Sequence, residues 1–105
     1  DSALERFLED EQFYIESLLR FSQDPLFIRF QEGIEAGSYG EAYETIHSLK
    51  GTSATLNLAP LTLSISEVTD WLRLGEDPGK ERLAALWRVY GSYCELLEEC
   101  LEKKQ

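Results

Sequence analysis

The sequence predicts an all-α protein, an antiparallel up-and-down four-helix bundle with one or two short extra helices at its N-terminus. Apolar residues recur at spacings of three and four, which is typical of amphipathic helices. No segment alternates β-branched and polar residues as a half-buried strand would. Start and stop signals divide the chain into helices with short connections, and short connections favour antiparallel neighbours.

The N-terminal third contains the extra segments and the first bundle helix. A short apolar segment spans 4–8, and a second helical segment runs from Asp10 to Phe21. Asp24 followed by Pro25 is typical of an N-cap with proline at the first helical position. This helix is predicted to end at Gly37, which suits the residue that follows a helix in the left-handed conformation.

Two further helices are predicted from similar signals. Ser38, with Glu41 three residues later, matches a capping box and opens a helix that Asn57 can end. Ala59-Pro60 opens the next helix, which ends near Gly75.

A turn at 76–79 precedes the last and longest helix. Cys94 and Cys100 lie on this helix, six residues apart, so their side chains diverge by about 120° and are not expected to form a disulfide with each other. Their spacing and the single histidine do not match a zinc site. Two unpaired thiols favour a reducing compartment, so we expect the cytoplasm. The predicted apolar seam of this helix consists of Leu83, Leu86, Tyr90, Tyr93, Leu97 and Cys100.

Composition and charge exclude several classes of function. With 43% apolar residues, the 105-residue chain has enough for one core, so we expect a single domain over 1–105. Twenty Asp and Glu residues against ten Lys and Arg give a net charge of −10, which disfavours nucleic acid and anionic lipid as partners. No segment resembles a membrane span or a secretory signal. The chain starts at Asp1 and has no methionine, so we expect a fragment or a processed product.

His47, the only histidine, is predicted to face solvent from the middle of its helix. On a helical wheel it lies roughly 140° from the apolar direction. Tyr43, Lys50, Gly51 and Ala54 lie on the same side. The residues that fall within about 40° of the apolar direction are Ala42, Ile46, Leu49, Ser53 and Leu56.

Gly51 is unusual on this outer face, because glycine inside a helix costs about 1 kcal/mol relative to alanine. Together with Ala54 it leaves a bare strip beside an exposed imidazole and an ammonium group. This combination indicates a nucleophile that another protein must approach closely. The simpler alternative is a solvated histidine, a surface lysine near Glu44 or Glu41, and a tolerated glycine. The occurrence of all three on one face favours the first interpretation.

The segment His47–Leu58 resembles the active helix of histidine-containing phosphotransfer (HPt) domains. The pattern of that family is His, two residues, Lys, Gly and then small residues, ending in Leu-Gly or Leu-Asn and an apolar residue. Ala54 and Asn57 stand where the family often has glycine, but alanine is small and asparagine tolerates the left-handed conformation.

The resemblance implies that His47 accepts and donates a phosphoryl group, with Lys50 beside that group. Tyr43, Gly51 and Ala54 would contribute to partner docking. The implied partners are response-regulator receiver domains or a hybrid sensor kinase, and the Mg²⁺ ion is expected on the receiver. Such a domain is a phosphoryl carrier without turnover of its own, and nothing in the sequence demands more than a monomer.

Two other functions stay open at this point. The domain could be the phosphoryl-accepting part of a chemotaxis-type histidine kinase, a family in which an acidic residue of the next helix contacts the histidine. Glu67 and Asp70 are the candidates for that contact. A helical adaptor that binds a partner helix without chemistry is the third possibility.

Overall fold

The structure, a computed structural model, describes residues 2–103, and of Phe7 the backbone alone. Over this range 86% of the chain is helical and there are no strands, which confirms the predicted all-α class. No helix in the same range is long and apolar enough to cross a membrane. The five helices are α1 (Ser2–Ser22), α2 (Leu26–Ala36), α3 (Tyr39–Thr55), α4 (Ala59–Arg73) and α5 (Lys80–Lys103).

The N-terminal region is one helix of 21 residues, so the prediction of one or two short extra helices is wrong. No glycine or proline occurs in Ser2–Ser22, so nothing interrupts its backbone hydrogen bonds. This helix packs against α5. The hydroxyls of Tyr93 and Tyr90 donate to the carbonyl oxygens of Leu18 and Ser22.

Helix α2 begins one residue later than predicted, because Pro25, with φ = −58° and ψ = −18°, is the N-cap and Leu26 the first helical residue; it ends before Gly37 as predicted. The amide of Leu26 donates to Oδ1 of Asp24 at 2.9 Å, which satisfies one of the free N–H groups at the helix start. Gly37 has φ = 72°, and the amide of Ser38 donates to the carbonyl of Gly33 at 2.8 Å. This is the hydrogen-bonding pattern of a Schellman motif.

Helix α3 begins at Tyr39, but the predicted capping box is wrong, because the Ser38 side chain makes no capping hydrogen bond. Only Gly37 and Ser38 separate α2 from α3, and the turn that ends α2 already fixes the Ser38 backbone. At the other end, Asn57 has φ = 61°, so the predicted left-handed stop is confirmed.

The core lies among α2, α3, α4 and α5, each of which contributes buried apolar side chains, and Phe21 near the end of α1 adds to it. Gly33 of α2 is buried, and a Cβ atom there would lie 3.3 Å from Cβ of Ala42, so glycine permits the close approach of α2 and α3. Between α3 and α4, the hydroxyls of Ser53 and Thr62 are 2.8 Å apart. No buried side-chain nitrogen or oxygen in the described part of the chain lacks a hydrogen-bond partner.

Helices α2 and α5 meet through aromatic side chains. The rings of Phe27 and Tyr90 are 4.3 Å apart, and Nε1 of Trp87 donates to Oε1 of Gln31 at 3.0 Å. Most of the predicted seam of α5 is confirmed, because its members up to Leu97 are buried or half-buried. Cys100, by contrast, is exposed.

Candidate functional site

The side chains of α3 divide into a core face and an outer face. His47, Gly51 and Ala54 are exposed, while Tyr43 and Lys50 are half-buried. This is the orientation that helical periodicity predicts, because positions three and four residues apart share one face. The side chains that are completely buried on the opposite face are Ala42, Ile46, Leu49 and Ser53. All five sequence-predicted site residues therefore lie along the solvent side of one helix.

The imidazole of His47 rests against the ring of Tyr43, one turn earlier in α3. The ring centroids are 5.7 Å apart and the ring planes differ by 17°, so the rings are stacked. This contact restricts the side-chain conformations of His47 without using its nitrogens. Neither ring nitrogen makes a hydrogen bond to any residue in 2–103, so both are open to a partner from solvent.

Lys50 lies one turn after His47 and supplies a cation on this surface. Residues at i and i+3 are neighbours on a helix, so the ammonium can reach a group attached to the imidazole. Lys50 forms no ion pair with a described carboxylate, and this includes Glu44. Its charge is therefore not neutralised within this part of the molecule, which disfavours the interpretation of Lys50 as one half of a surface salt bridge.

Gly51 has no packing role in the fold. A Cβ atom built at Gly51 would meet no atom within 4 Å. At Gly33 of α2, by contrast, a Cβ atom would press against Ala42 of α3. The cost of about 1 kcal/mol for a glycine inside α3 is thus not offset by close helix packing. Its structural effect is a strip of bare helix surface, continued by Ala54, directly after His47.

Helix α4 adds to the surface around His47 a residue, Arg73, that the sequence did not indicate. The Arg73 guanidinium interacts with the Tyr43 side chain, which raises the pKa of Arg73 above its ordinary value; the nearby Asp70 carboxylate adds to this effect. Nη1 of Arg73 is 3.4 Å from Oδ1 of Asp70. Because Tyr43 also stacks on His47, the guanidinium belongs to the same surface patch.

Periodicity within α3 cannot identify Arg73, because it says nothing about which residue of another helix lies alongside. The available signal is the short connection from α3 to α4. It sets Ser53 opposite Thr62. The segment from Ser53 back to Tyr43 and the segment from Thr62 on to Arg73 are of similar length, so Tyr43 and Arg73 come side by side in an antiparallel pair of helices.

The two acidic candidates for contact with the histidine do not provide it. Glu67 and Asp70 are both exposed. Asp70 pairs with Arg73 instead. No carboxylate among the described residues accepts a hydrogen bond from His47, and no group of three or more His, Cys, Asp or Glu residues there is arranged to hold a metal ion.

Comparisons with known proteins add nothing to this description of the site. No protein-family model matches the chain, and no curated protein or solved structure matches it. The functional interpretation therefore depends on the residues of the α3 surface and on the motif that begins at His47.

Proposed function

We propose that this domain is a histidine phosphotransfer module of a multistep two-component phosphorelay. His47 accepts a phosphoryl group from an aspartate of one receiver domain and passes it to the aspartate of another. The observation that carries this proposal is the exposed imidazole of His47, stacked on Tyr43 and free of hydrogen bonds to the described residues, with Lys50 one turn away.

The chemistry matches what these side chains offer. A ring nitrogen of His47 attacks the phosphorus of the aspartyl phosphate with its lone pair. The N–P bond forms as the O–P bond breaks, and the aspartate leaves as a carboxylate with the electron pair. Such transfer depends on in-line positioning and on neutralising the charge of the phosphoryl oxygens. Stacking on Tyr43 serves the first requirement, and the ammonium of Lys50 serves the second.

The bare strip of α3 suits the docking of a receiver. Gly51 and Ala54 present almost no side-chain bulk next to His47. A receiver that carries its own Mg²⁺ ion and its aspartyl phosphate can therefore approach the helix backbone closely. The surface proposed for docking consists of Tyr43, Gly51 and Ala54 around the imidazole.

We also infer that α2–α5 form an antiparallel up-and-down bundle over a single domain, 1–105. Support comes from contacts at both ends of the α3–α4 pair: Ser53 with Thr62 near the connection, and Tyr43 with Arg73 far from it. The proposed carrier works as a monomer in the cytoplasm, alone or as part of a hybrid sensor kinase, and has no turnover of its own.

A chemotaxis-type phosphoryl-accepting domain is the second candidate. That function expects a carboxylate of α4 against the histidine. The pairing of Asp70 with Arg73, and the lack of a hydrogen bond from Glu67 to His47, favour the relay. A helical adaptor without chemistry predicts instead that the imidazole is dispensable.

The test is phosphoryl transfer from several phosphorylated receiver domains and, in a separate arm, from an ATP-dependent kinase core. Wild type, His47→Gln and the control Ser48→Ala are compared, because Ser48 is the exposed neighbour of the histidine. We expect receivers to label wild type and Ser48→Ala but not His47→Gln. Labelling by the kinase core alone would support the chemotaxis-type function, and no labelling in either arm would support the adaptor.

A further inference from the structure

A row of α4 side chains borders the surface around His47 from the neighbouring helix. The connection from α3 to α4 is only three residues long, 56–58, and the hydroxyls of Ser53 and Thr62 are 2.8 Å apart. Thr62 therefore faces α3. Residues at spacings of three and four share one face of a helix. The row that follows the outer side of this edge of α4 consists of Ala59, Leu63, Ser66 and Asp70.

Leu63 points to the same side of the α3–α4 pair as His47. Successive helix residues turn by about 100°. On α4 the direction thus passes from the core at the buried Leu61 to α3 at Thr62 and then to the outer side at Leu63. The side chain of Leu63 is 66% exposed, in agreement with this direction. His47 is exposed on the outer face of α3, so both side chains point away from the core.

The distance from Leu63 to His47 is short on the scale of a protein interface. Because Thr62 lies opposite Ser53 in an antiparallel pair, Leu63 is level with Thr52, five residues past the histidine. This offset is about 7.5 Å along the helix, and packed helices are about 9 Å apart, so the two Cα atoms are separated by about 12 Å. Even a small transient interface covers about 600 Å² of each partner, a patch of about 14 Å radius. A protein that docks with His47 at the centre therefore also covers Leu63.

The surroundings of Leu63 distinguish it from an ordinary surface leucine. A single exposed leucine is common and marks nothing by itself. This one borders exposed positions with little or no side chain, which are Gly51 and Ala54 on α3 and Ala59 on α4. Together these four residues form an apolar surface, which we call the Leu63 patch. Leu63 is its one large side chain and forms a raised edge beside the bare helix.

The surface on the other side of His47 is polar. There Asp70, the last member of the α4 row, lies 3.4 Å from the Arg73 guanidinium. The apolar part of the surface is thus confined to the Gly51 side of the imidazole. A partner centred on His47 meets charged groups at one end and the Leu63 patch at the other, which fixes its orientation.

We propose that Leu63 anchors the receiver domain that exchanges a phosphoryl group with His47. An apolar side chain of the receiver, next to its phosphorylated aspartate, lies over the bare surface of Gly51 and Ala54 and packs against Leu63. The centre of a protein interface is apolar and depleted of charged residues, as the Leu63 patch is. This inference rests on the proposed function, because the receiver is the protein that must reach His47. Leu63 sets the affinity for the receiver and takes no part in the chemistry.

The test is the dependence of phosphoryl transfer on receiver concentration. Several phosphorylated receiver domains are screened, and the one that labels wild type at the lowest concentration is the donor. Single-turnover rates are measured for wild type, Leu63→Gln, Leu63→Met and Ile28→Gln, with thermal unfolding as a control for folding. Ile28 is the matched control position, because it is 68% exposed and lies between α2 and α5, away from the Leu63 patch.

We expect Leu63→Gln to raise the half-saturating receiver concentration about tenfold and to leave the limiting rate within about twofold of wild type. Leu63→Met keeps an apolar side chain of similar volume and should behave nearly as wild type. Ile28→Gln should change neither quantity. The ratio between wild type and Leu63→Gln should persist at raised salt, because salt screens charges and leaves apolar contacts in place.

Three results would overturn this inference alone. The first is a wild-type concentration dependence in Leu63→Gln, and the second is a loss confined to the limiting rate. The third is self-association of the protein, seen by sedimentation and abolished by Leu63→Gln, which would make a second copy the occupant of the patch. Absence of labelling of wild type by every receiver is a different outcome, because it overturns the proposed function and the inference with it.

Discussion

The rings of Tyr43 and His47 stack one helical turn apart, with centroids separated by 5.7 Å and planes that differ by 17°. Tyr43 is in turn the residue with which the Arg73 guanidinium of α4 interacts. The half-buried Tyr43 thus interacts both with the exposed imidazole on its own helix, α3, and with the guanidinium on α4. The stacking leaves the ring nitrogens of His47 without a hydrogen bond to the described residues.

Replacing Tyr43 tests whether this stacking positions the histidine. We expect Tyr43→Leu to slow phosphoryl transfer to His47 by about two- to tenfold, because aromatic pairing contributes about 0.5–1.5 kcal/mol. Tyr43→Phe keeps the ring and should transfer at nearly the wild-type rate. The measurement is the single-turnover transfer rate, with the thermal midpoint as a control for folding. Equal rates for the Leu and Phe variants would show that the stack has no positioning role.

Substitutions at Gly51 test helix stability and partner docking separately. Gly51→Ala should stabilise the protein by about 1 kcal/mol, because the new Cβ atom enters open space and the helix propensity improves. Gly51→Gln should also be at least as stable as wild type, yet its side chain should block the approach of a receiver. Denaturant unfolding measures the first effect and transfer kinetics measure the second. Wild-type transfer in Gly51→Gln would exclude this strip from the interface.

The carboxylates of α4 distinguish the relay from the chemotaxis-type function. Glu67→Gln and Asp70→Asn should leave the rate of phosphoryl acceptance within about twofold of wild type, since neither side chain hydrogen-bonds to His47. A carboxylate that assists proton transfer at the histidine would instead give a loss of about a hundredfold. Initial rates with a receiver donor and with a kinase-core donor make the comparison.

The hydrogen bond that attaches α1 to α5 through Tyr90 should weaken at alkaline pH. Burial, and next its hydrogen bond with Cys94, raise the pKa of Tyr90 to about 12. The ordinary tyrosine pKa is about 10, so the folded state holds this proton more tightly than the unfolded state. The contribution of the protonated Tyr90 hydroxyl to the free energy of unfolding is therefore fully present below about pH 10 and is lost as the pH rises through about 12.

Urea unfolding across this pH range, in wild type and Tyr90→Phe, measures that contribution. At pH 7 the variant should be less stable by about 1 kcal/mol, because the hydrogen bond to the Ser22 carbonyl is lost. Its free energy of unfolding should also fall less steeply at high pH. The same slope in both proteins would mean that the Tyr90 hydroxyl does not link α1 to the bundle.

Local chemistry explains which features the sequence predicts well. Gly37 and Asn57 end their helices in the left-handed conformation, which few other residues adopt at low cost. The outward direction of His47 follows from the periodicity of α3 alone. Each of these features depends on a few neighbouring residues, and the sequence contains them.

The features that the sequence does not predict depend on longer-range arrangement. Helix α1 continues through Asp10 because no glycine or proline occurs between Ser2 and Ser22 to end the first predicted segment. Ser38 has the residue type of a cap, but the end of α2 sets its backbone instead. Arg73 joins the His47 patch only through the packing of α4 on α3.

Whether His47 carries a phosphoryl group is measured most directly by locating that group, and testing its chemistry, after transfer from a receiver. Intact mass, acid lability and peptide mapping are applied to wild type and to His47→Gln, which should stay folded because the imidazole is exposed. We expect one phosphoryl group in wild type, labile in acid, stable in base and mapped to the His47 peptide, and none in the variant. An acid-stable phosphoryl group, or one that persists in His47→Gln, would contradict the account.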